Sequence, residues 1–362
     1  MSWHRFRSIG QVAPIVKCRI TRQMLPANMC ASADTMKKRE YQYGRLWLIA
    51  VLLSGIAVGY VGFALERGIA ARREGDVARQ LPNWPSDLSR DSTLGATPMD
   101  IVTANLHCAE VLPGAEAFDS MMAKATLEKW SDRVRNETSR HLYRFRQNPA
   151  EFNDSEAYFR MLTLVTVLQE DCGVRYNPER MQSPNFADSR DLFLHGLLTG
   201  KHQGTCVSMP VLYVAVGRRL GYPLKLVTSK AHVFARWESP DGRERLNIEA
   251  TSQGLNCFPD DYYLAWPVPL TPAEIGSGQY LKSLTPDEEM AVFLSVRGHC
   301  LEANGRLPEA QLAYAQAHQL APPATQYLAF LAAAVRKEMP EWQQVRVDLG
   351  QASSPSSPKA NP

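Results

Sequence analysis

Cys206, His232 and Glu249 are the residues of this chain whose types, order and spacing could carry out covalent chemistry. His232 follows Cys206 by 26 residues and Glu249 follows His232 by 17. A thiol, an imidazole and a carboxylate are the parts of an activated nucleophile. The thiolate attacks an acyl carbon, the imidazole holds and delivers the proton, and the carboxylate fixes the imidazole tautomer. For the oxyanion that such an attack creates, the candidate donors are the Cys206 backbone N–H and the side chains of Gln203 and His202.

The elements that must position these groups follow from local pattern. Apolar residues at Met209, Leu212, Val216 and Leu220 recur at helical steps, and Gly221-Tyr-Pro223 ends the run, so the spacing predicts a helix over 205–220 with Cys206 in its first turn. Unpaired N–H groups and the dipole at a helix start favour a thiolate over a thiol. Gly204 permits close backbone approach just before the nucleophile. Strands are expected at 224–228, 232–237 and 245–251, with Ser239-Pro-Asp-Gly242 as the turn between the last two. A hairpin symmetric about Pro240 and Asp241 places His232 directly opposite Glu249, whereas a one-residue shift from a bulge at Gly242 moves Glu249 to the other face.

Three local features together resemble the transglutaminase-like superfamily, with its papain-like arrangement of groups. They are Gly204-Thr-Cys206 leading into a helix that ends in Leu220-Gly221, His232 with an aromatic residue two places on (Phe234), and Glu249-Ala-Thr251 on the neighbouring strand. The likeness is to bacterial transglutaminase-core proteins more than to animal cross-linking enzymes, and the third residue of the family is more often Asp than Glu. The resemblance implies an α+β fold in which N-terminal helices and a nucleophile helix pack on an antiparallel sheet. It also implies catalytic roles for Cys206, His232 and Glu249 in acyl transfer on peptide or protein amides, with no cofactor and no metal. Water as acceptor makes a peptidase or amidase, and a primary amine makes a transglutaminase. A catalytically silent scaffold or binding module on the same fold is the alternative.

Charge and hydropathy organise the rest. Residues 1–45 carry nine Lys and Arg against Asp34 and Glu40, which leaves the remainder at −4 of the overall +3, a balance that argues against a nucleic-acid surface. Residues 46–65 form 20 uncharged, mostly apolar positions, enough at about 1.5 Å per residue to span a hydrocarbon core. The expectation is one transmembrane helix rather than a cleaved signal, with a basic cytoplasmic segment at 1–45 and the main domain in the bacterial periplasm. Residues 66–98 read as a linker, 99–275 as the transglutaminase-like domain and 341–362 as a disordered tail. Within the domain, helices are expected at 100–112, 117–145, 155–171 and 190–198, with their Met and aromatic residues packing the core. The segment Arg175-Tyr-Asn-Pro178 is a loop near the cleft.

Residues 285–340 resemble a tetratricopeptide helical pair. With Gly298 at repeat position 8, Ala310, Tyr314, Ala317 and Pro322 fall at 20, 24, 27 and 32, a unit that could engage a protein partner, with a further helix at 325–336. Of seven cysteines, five follow residue 65. In an oxidising compartment that number allows two disulfides and one free thiol, Cys206. Met36-Lys-Lys-Arg39 has the composition of a membrane-anchor start, so translation is expected to begin at Met36. Peptide mass spectrometry of the native protein should then find nothing from residues 2–35, and any such peptide would overturn this start.

Overall fold

Short polar side chains set the helix starts. Asp100 accepts from the N–H of Thr103, Asp119 from those of Met121 and Met122, and Ser155 from that of Tyr158. Thr271 and Thr285 close full capping boxes with Glu274 and Glu288. These caps make α1 Ile101–Ala109, α2 Ser120–Gln147 and α3 Glu156–Thr166 each begin slightly later than the periodicity alone suggests. The computed structural model describes residues 100–180 and 185–339. The expected transmembrane helix at 46–65, the segment 1–45, the linker 66–98 and the tail 341–362 lie outside them. Among the described residues no helix is long and apolar enough to cross a membrane.

The architecture is α+β. After α3 the chain makes one π-helical turn, Val167–Asp171, and enters β1 Arg175–Tyr176. The helix expected at 190–198 is instead a 3₁₀ turn, Ser189–Asp191, followed by the short α4 Leu194–Thr199. Then come β2 Gln203–Gly204 and α5 Met209–Arg219. Antiparallel β3 Leu224–Ser229, β4 His232–Glu238, β5 Arg245–Glu249 and β6 Asn256–Cys257 form one sheet in sequence order. The chain continues through α6 Asp260–Ala265, α7 Pro272–Gly276, α8 Pro286–Ala303, α9 Leu307–Leu320 and α10 Gln326–Glu338.

The first six residues of β4 are all buried, which requires cover on both faces of the sheet. Helix α5 packs against β3 and β4. On the face that carries Phe234, the Tyr263 ring of α6 stacks at 3.9 Å between centroids and 9° between planes, with Phe258, Tyr262, Trp266 and Leu281 around them. The free edge of β3 is covered by the 281–284 strap, where Leu281 N–H donates to Thr228 O and Leu284 N–H to Leu226 O, both at 2.9 Å. Core packing holds for Trp130, Phe159 and Met161, but Met121, Met122 and Tyr143 project to solvent. The last three fall on the outer side of α2, where none of the described residues buries them.

The C-terminal region is helical, with α9 packed against both α8 and α10. Gly298 lets α8 approach α9 closely, since a Cβ would sit 2.4 Å from the Tyr314 ring, and Ala310 and Ala317 of α9 are fully buried. Gly298→Ala should therefore lower the stability of the chain by about 1–3 kcal/mol, because Tyr314 has to be displaced. An unchanged urea midpoint would contradict so close a contact.

Candidate active site

The region around Cys206, the candidate nucleophile, is built by a tight turn. Helix α5 begins at Met209, so Cys206 lies in the turn just before it and not in its first turn. The winding starts earlier all the same: the Met209 N–H donates to the Thr205 carbonyl at 3.0 Å, and the Ser208 hydroxyl accepts from the Thr205 N–H at 3.0 Å. Thr205 Oγ1 donates to Asp191 O at 2.8 Å and ties the turn to the preceding segment. A Cβ on Gly204 would lie 2.7 Å from Met209 Cγ and 2.9 Å from Ser208 Oγ, so the turn closes only over a glycine. Cys206 itself is half-buried.

His232 opens β4 and Glu249 ends β5, and their side chains meet with Nε2 and Oε2 2.9 Å apart, both buried. The register that brings them together differs from a symmetric two-residue turn. The ladder pairs Glu238 with Arg245, Arg236 with Asn247 and Ala235 with Ile248. Extended along the strands, this sets Glu249 opposite Phe234, two places from His232. The cause is a four-residue loop: Ser239 N–H donates to Glu244 O at 2.9 Å, and Gly242 takes φ +69° inside the Ser239–Gly242 turn. A shift of two preserves the face where a shift of one would have reversed it. The residues are diagonal rather than opposed, a separation that long side chains reach, and the extra methylene of Glu over Asp serves that reach.

Each accessory residue of the local pattern now has a physical role. Thr251 donates both its N–H (3.0 Å) and its hydroxyl to Glu249 Oε1. The Tyr263 hydroxyl donates to Oε2 at 3.2 Å. Tyr263 also stacks on His232 as it does on Phe234, and Trp266 meets His232 edge-on at 4.6 Å. Nε2 is bound to Glu249, which leaves Nδ1 as the other ring nitrogen, and Cys206 lies within electrostatic reach of the imidazole. Burial opposes a charged ring, but the hydrogen bonds and negative charge of Cys206 and Glu249 outweigh it and push His232 up to about 9. Burial likewise raises the Glu249 carboxyl, yet the bond and charge of His232, with both Thr251 donors, hold it below the usual carboxylate range.

Of the side-chain candidates for an oxyanion donor, His202 is engaged elsewhere, whereas Gln203 is held through its amide oxygen and keeps its NH2 donors. With its amide oxygen turned to Arg175, Gln203 accepts from Nε and Nη2 at 3.2 Å each. His202 Nδ1 bonds to Leu197 O at 2.7 Å, and its ring packs edge-on against Trp130. Three contributors escaped the sequence reading. Gln169, on the π turn, donates to the Tyr213 hydroxyl of α5 and to Ser252 O, both at 3.0 Å, and accepts from Gly254 N–H at 2.7 Å. It thereby clamps the nucleophile helix to the loop after Glu249. Tyr263 and Trp266 come from a stretch with four aromatics in nine residues, 258–266, and that density was the available signal. The five described cysteines, Cys108, Cys172, Cys206, Cys257 and Cys300, are all free thiols, so neither of the two pairs that the count allowed is formed.

A ring raised in the folded state contributes stability that is complete below its unfolded value of about 6.5 and is lost as pH rises through about 9. Glu249, being lowered, contributes stability above the unfolded carboxylate value of about 4.3 and loses it as pH falls through the folded value. The pair is therefore at full strength between about pH 4.5 and 6.5. His232→Gln should cost most stability near pH 6 and progressively less toward pH 10, read from urea unfolding. A cost that stays constant over that range would mean the ring is uncharged.

Comparison with known proteins adds one result. Residues 122–280 match the family model described as Transglutaminase-like superfamily. No curated protein and no solved structure matches the chain. The matched span runs from α2 to just before the strap over β3 and includes Cys206, His232 and Glu249, so residues 122–280 are a transglutaminase-like superfamily domain.

Proposed function

We propose that this protein is a membrane-anchored, cysteine-dependent acyl-transfer enzyme acting on peptide or protein amide bonds. One observation supports the reading: the buried His232 ring is held by Glu249 on Nε2 and lies within electrostatic reach of the half-buried Cys206. A transglutaminase-like domain is consistent with papain-like cysteine chemistry. Cys206 as thiolate adds to the acyl carbonyl, and the C–N bond breaks as the His232 imidazolium protonates the leaving amine. The thioester is then resolved by water or by a primary amine. Glu249 keeps Nε2 as the hydrogen-bonded nitrogen, so that Nδ1 faces the nucleophile throughout. Residues 46–65 are the proposed anchor, with a cytoplasmic N-terminus and the catalytic domain in the periplasm. The C-terminal helices are the proposed seat of a protein partner, as a tetratricopeptide-like unit.

The remaining described thiols make the test selective. Burial pushes Cys108 up to about 12 and Cys172, Cys257 and Cys300 up to about 11, so all four are protonated at low pH. Iodoacetamide at pH 6 should label Cys206 ahead of these, and His232→Ala should slow that labelling on the order of tenfold or more. Equal labelling of all five, or an inert Cys206, would favour a silent scaffold. With a glutamine-containing peptide as substrate, incorporation of a primary amine identifies a transferase, and ammonia release without incorporation a hydrolase.

A further inference from the structure

We propose that the Tyr176 hydroxyl donates a hydrogen bond to the oxyanion formed when the Cys206 thiolate adds to an acyl carbonyl, which makes Tyr176 a catalytic residue. The assignment rests on the acyl-transfer reading above and adds to it the group that stabilises the tetrahedral intermediate.

A two-residue parallel ladder positions Tyr176. Arg175 pairs with Gln203 and Tyr176 with Gly204, and the Asn177 N–H donates to Gly204 O at 2.9 Å. Tyr176 is thereby fixed beside the residue that stands two places before the nucleophile. Side chains alternate across a ladder, so Arg175 and Gln203 share one face, where they bond to each other, and Tyr176 takes the opposite one. The face that Gln203 occupies is thus closed by Arg175, and the other presents a phenol. Tyr176 is partly buried, and among the described residues its hydroxyl takes part in no hydrogen bond. Two other phenols near the triad are committed, Tyr263 to Glu249 and Tyr213 to Gln169, and Tyr262 stands on the far side of Tyr263 and Trp266, away from the ladder. A half-buried hydroxyl without a protein partner in a site of this kind is available to substrate.

The electrostatics suit a donor. Burial first, and then the negative charges of Cys206 and Glu249, push the Tyr176 phenol up to about 12, so it keeps its proton at neutral pH. Both charges therefore lie within electrostatic range of the phenol that the ladder sets beside Gly204. In the reaction, the sulfur lone pair forms the C–S bond while the carbonyl π pair moves to oxygen. Tyr176 donates a hydrogen bond to that oxygen without giving up its proton. On collapse the pair returns, the bond to the leaving group breaks, and an amine leaves with the His232 proton. The Cys206 N–H is the natural second donor.

Two reagents separate this role from any other. Iodoacetamide alkylates the thiolate by direct displacement with no oxyanion, whereas p-nitrophenyl acetate acylates it through a tetrahedral intermediate. In the full-length chain, Tyr176→Phe should slow acylation of Cys206 by p-nitrophenyl acetate on the order of 10²-fold and leave the iodoacetamide rate within about twofold, with Cys206→Ala as the blank. The unchanged alkylation rate also serves as the control for folding. If both rates fall together, or neither changes, the oxyanion assignment is overturned while the nucleophile stands. If Cys206 of the parent chain reacts with neither reagent, the acyl-transfer reading fails and the assignment with it.

Discussion

Two cationic side chains on one buried face of β4 impose the central constraint. His232, Phe234 and Arg236 share that face, and Arg236 is fully buried. A buried charge is tolerated only when paired and hydrogen-bonded, and removing its partners costs several kcal/mol. The β5 register supplies the partners: Asn247 accepts from Arg236 Nε at 2.7 Å, and Glu249 binds His232 at 2.9 Å. A slip of one residue would present Leu246 and Ile248 to both cations. The charges thus lock the hairpin register, and the register is what makes the site.

Arg236 extends the same constraint to the surroundings. Its Nη2 bonds to Asp260 at 2.6 Å and its Nη1 to the Leu281 carbonyl at 3.0 Å, while Asn247 Nδ2 reaches both Asp260 and the Phe258 carbonyl. Asp260 is the first residue of α6, so one guanidinium fixes the start of the helix that brings Tyr263 and Trp266 to His232. Leu281 belongs to the strap that closes the β3 edge. The imidazole is consequently held between a carboxylate and two aromatic rings, beside the Cys206 turn. Gln169 performs the corresponding task on the other side, joining α5 to the 252–254 loop. Its place on a π turn matters, because the extra residue in that turn redirects the side chain out of the helical repeat.

Much of the site was legible residue by residue. The glycine before the nucleophile, the aromatic two places after His232 and the threonine two places after Glu249 each act locally, through close approach, stacking and short-range donation to a carboxylate. Such effects depend on neighbours within a few positions, which is why spacing alone exposed them. The exact start of α5 and the split of the 155–171 helix were not legible, since caps and a π turn change the hydrogen-bond partner without changing the apolar period. Exposure of Met121, Met122 and Tyr143 was hidden for a related reason: helical spacing shows which residues share a face, and only packing shows whether that face has a neighbour.

By itself the sequence determined the candidate reacting groups, their order along the chain and the kinds of element that carry them, because covalent chemistry restricts residue types and local periodicity restricts secondary structure. Tertiary structure alone decided which groups meet. It shifted the hairpin by two residues yet kept His232 and Glu249 on one face. It turned Gln203 toward Arg175, and through a ladder only two residues long it brought Tyr176 beside the nucleophile turn. Loop length and the pairing of distant segments set these outcomes, and both are fixed by the burial of charge and aromatic surface across the whole domain rather than by any local pattern.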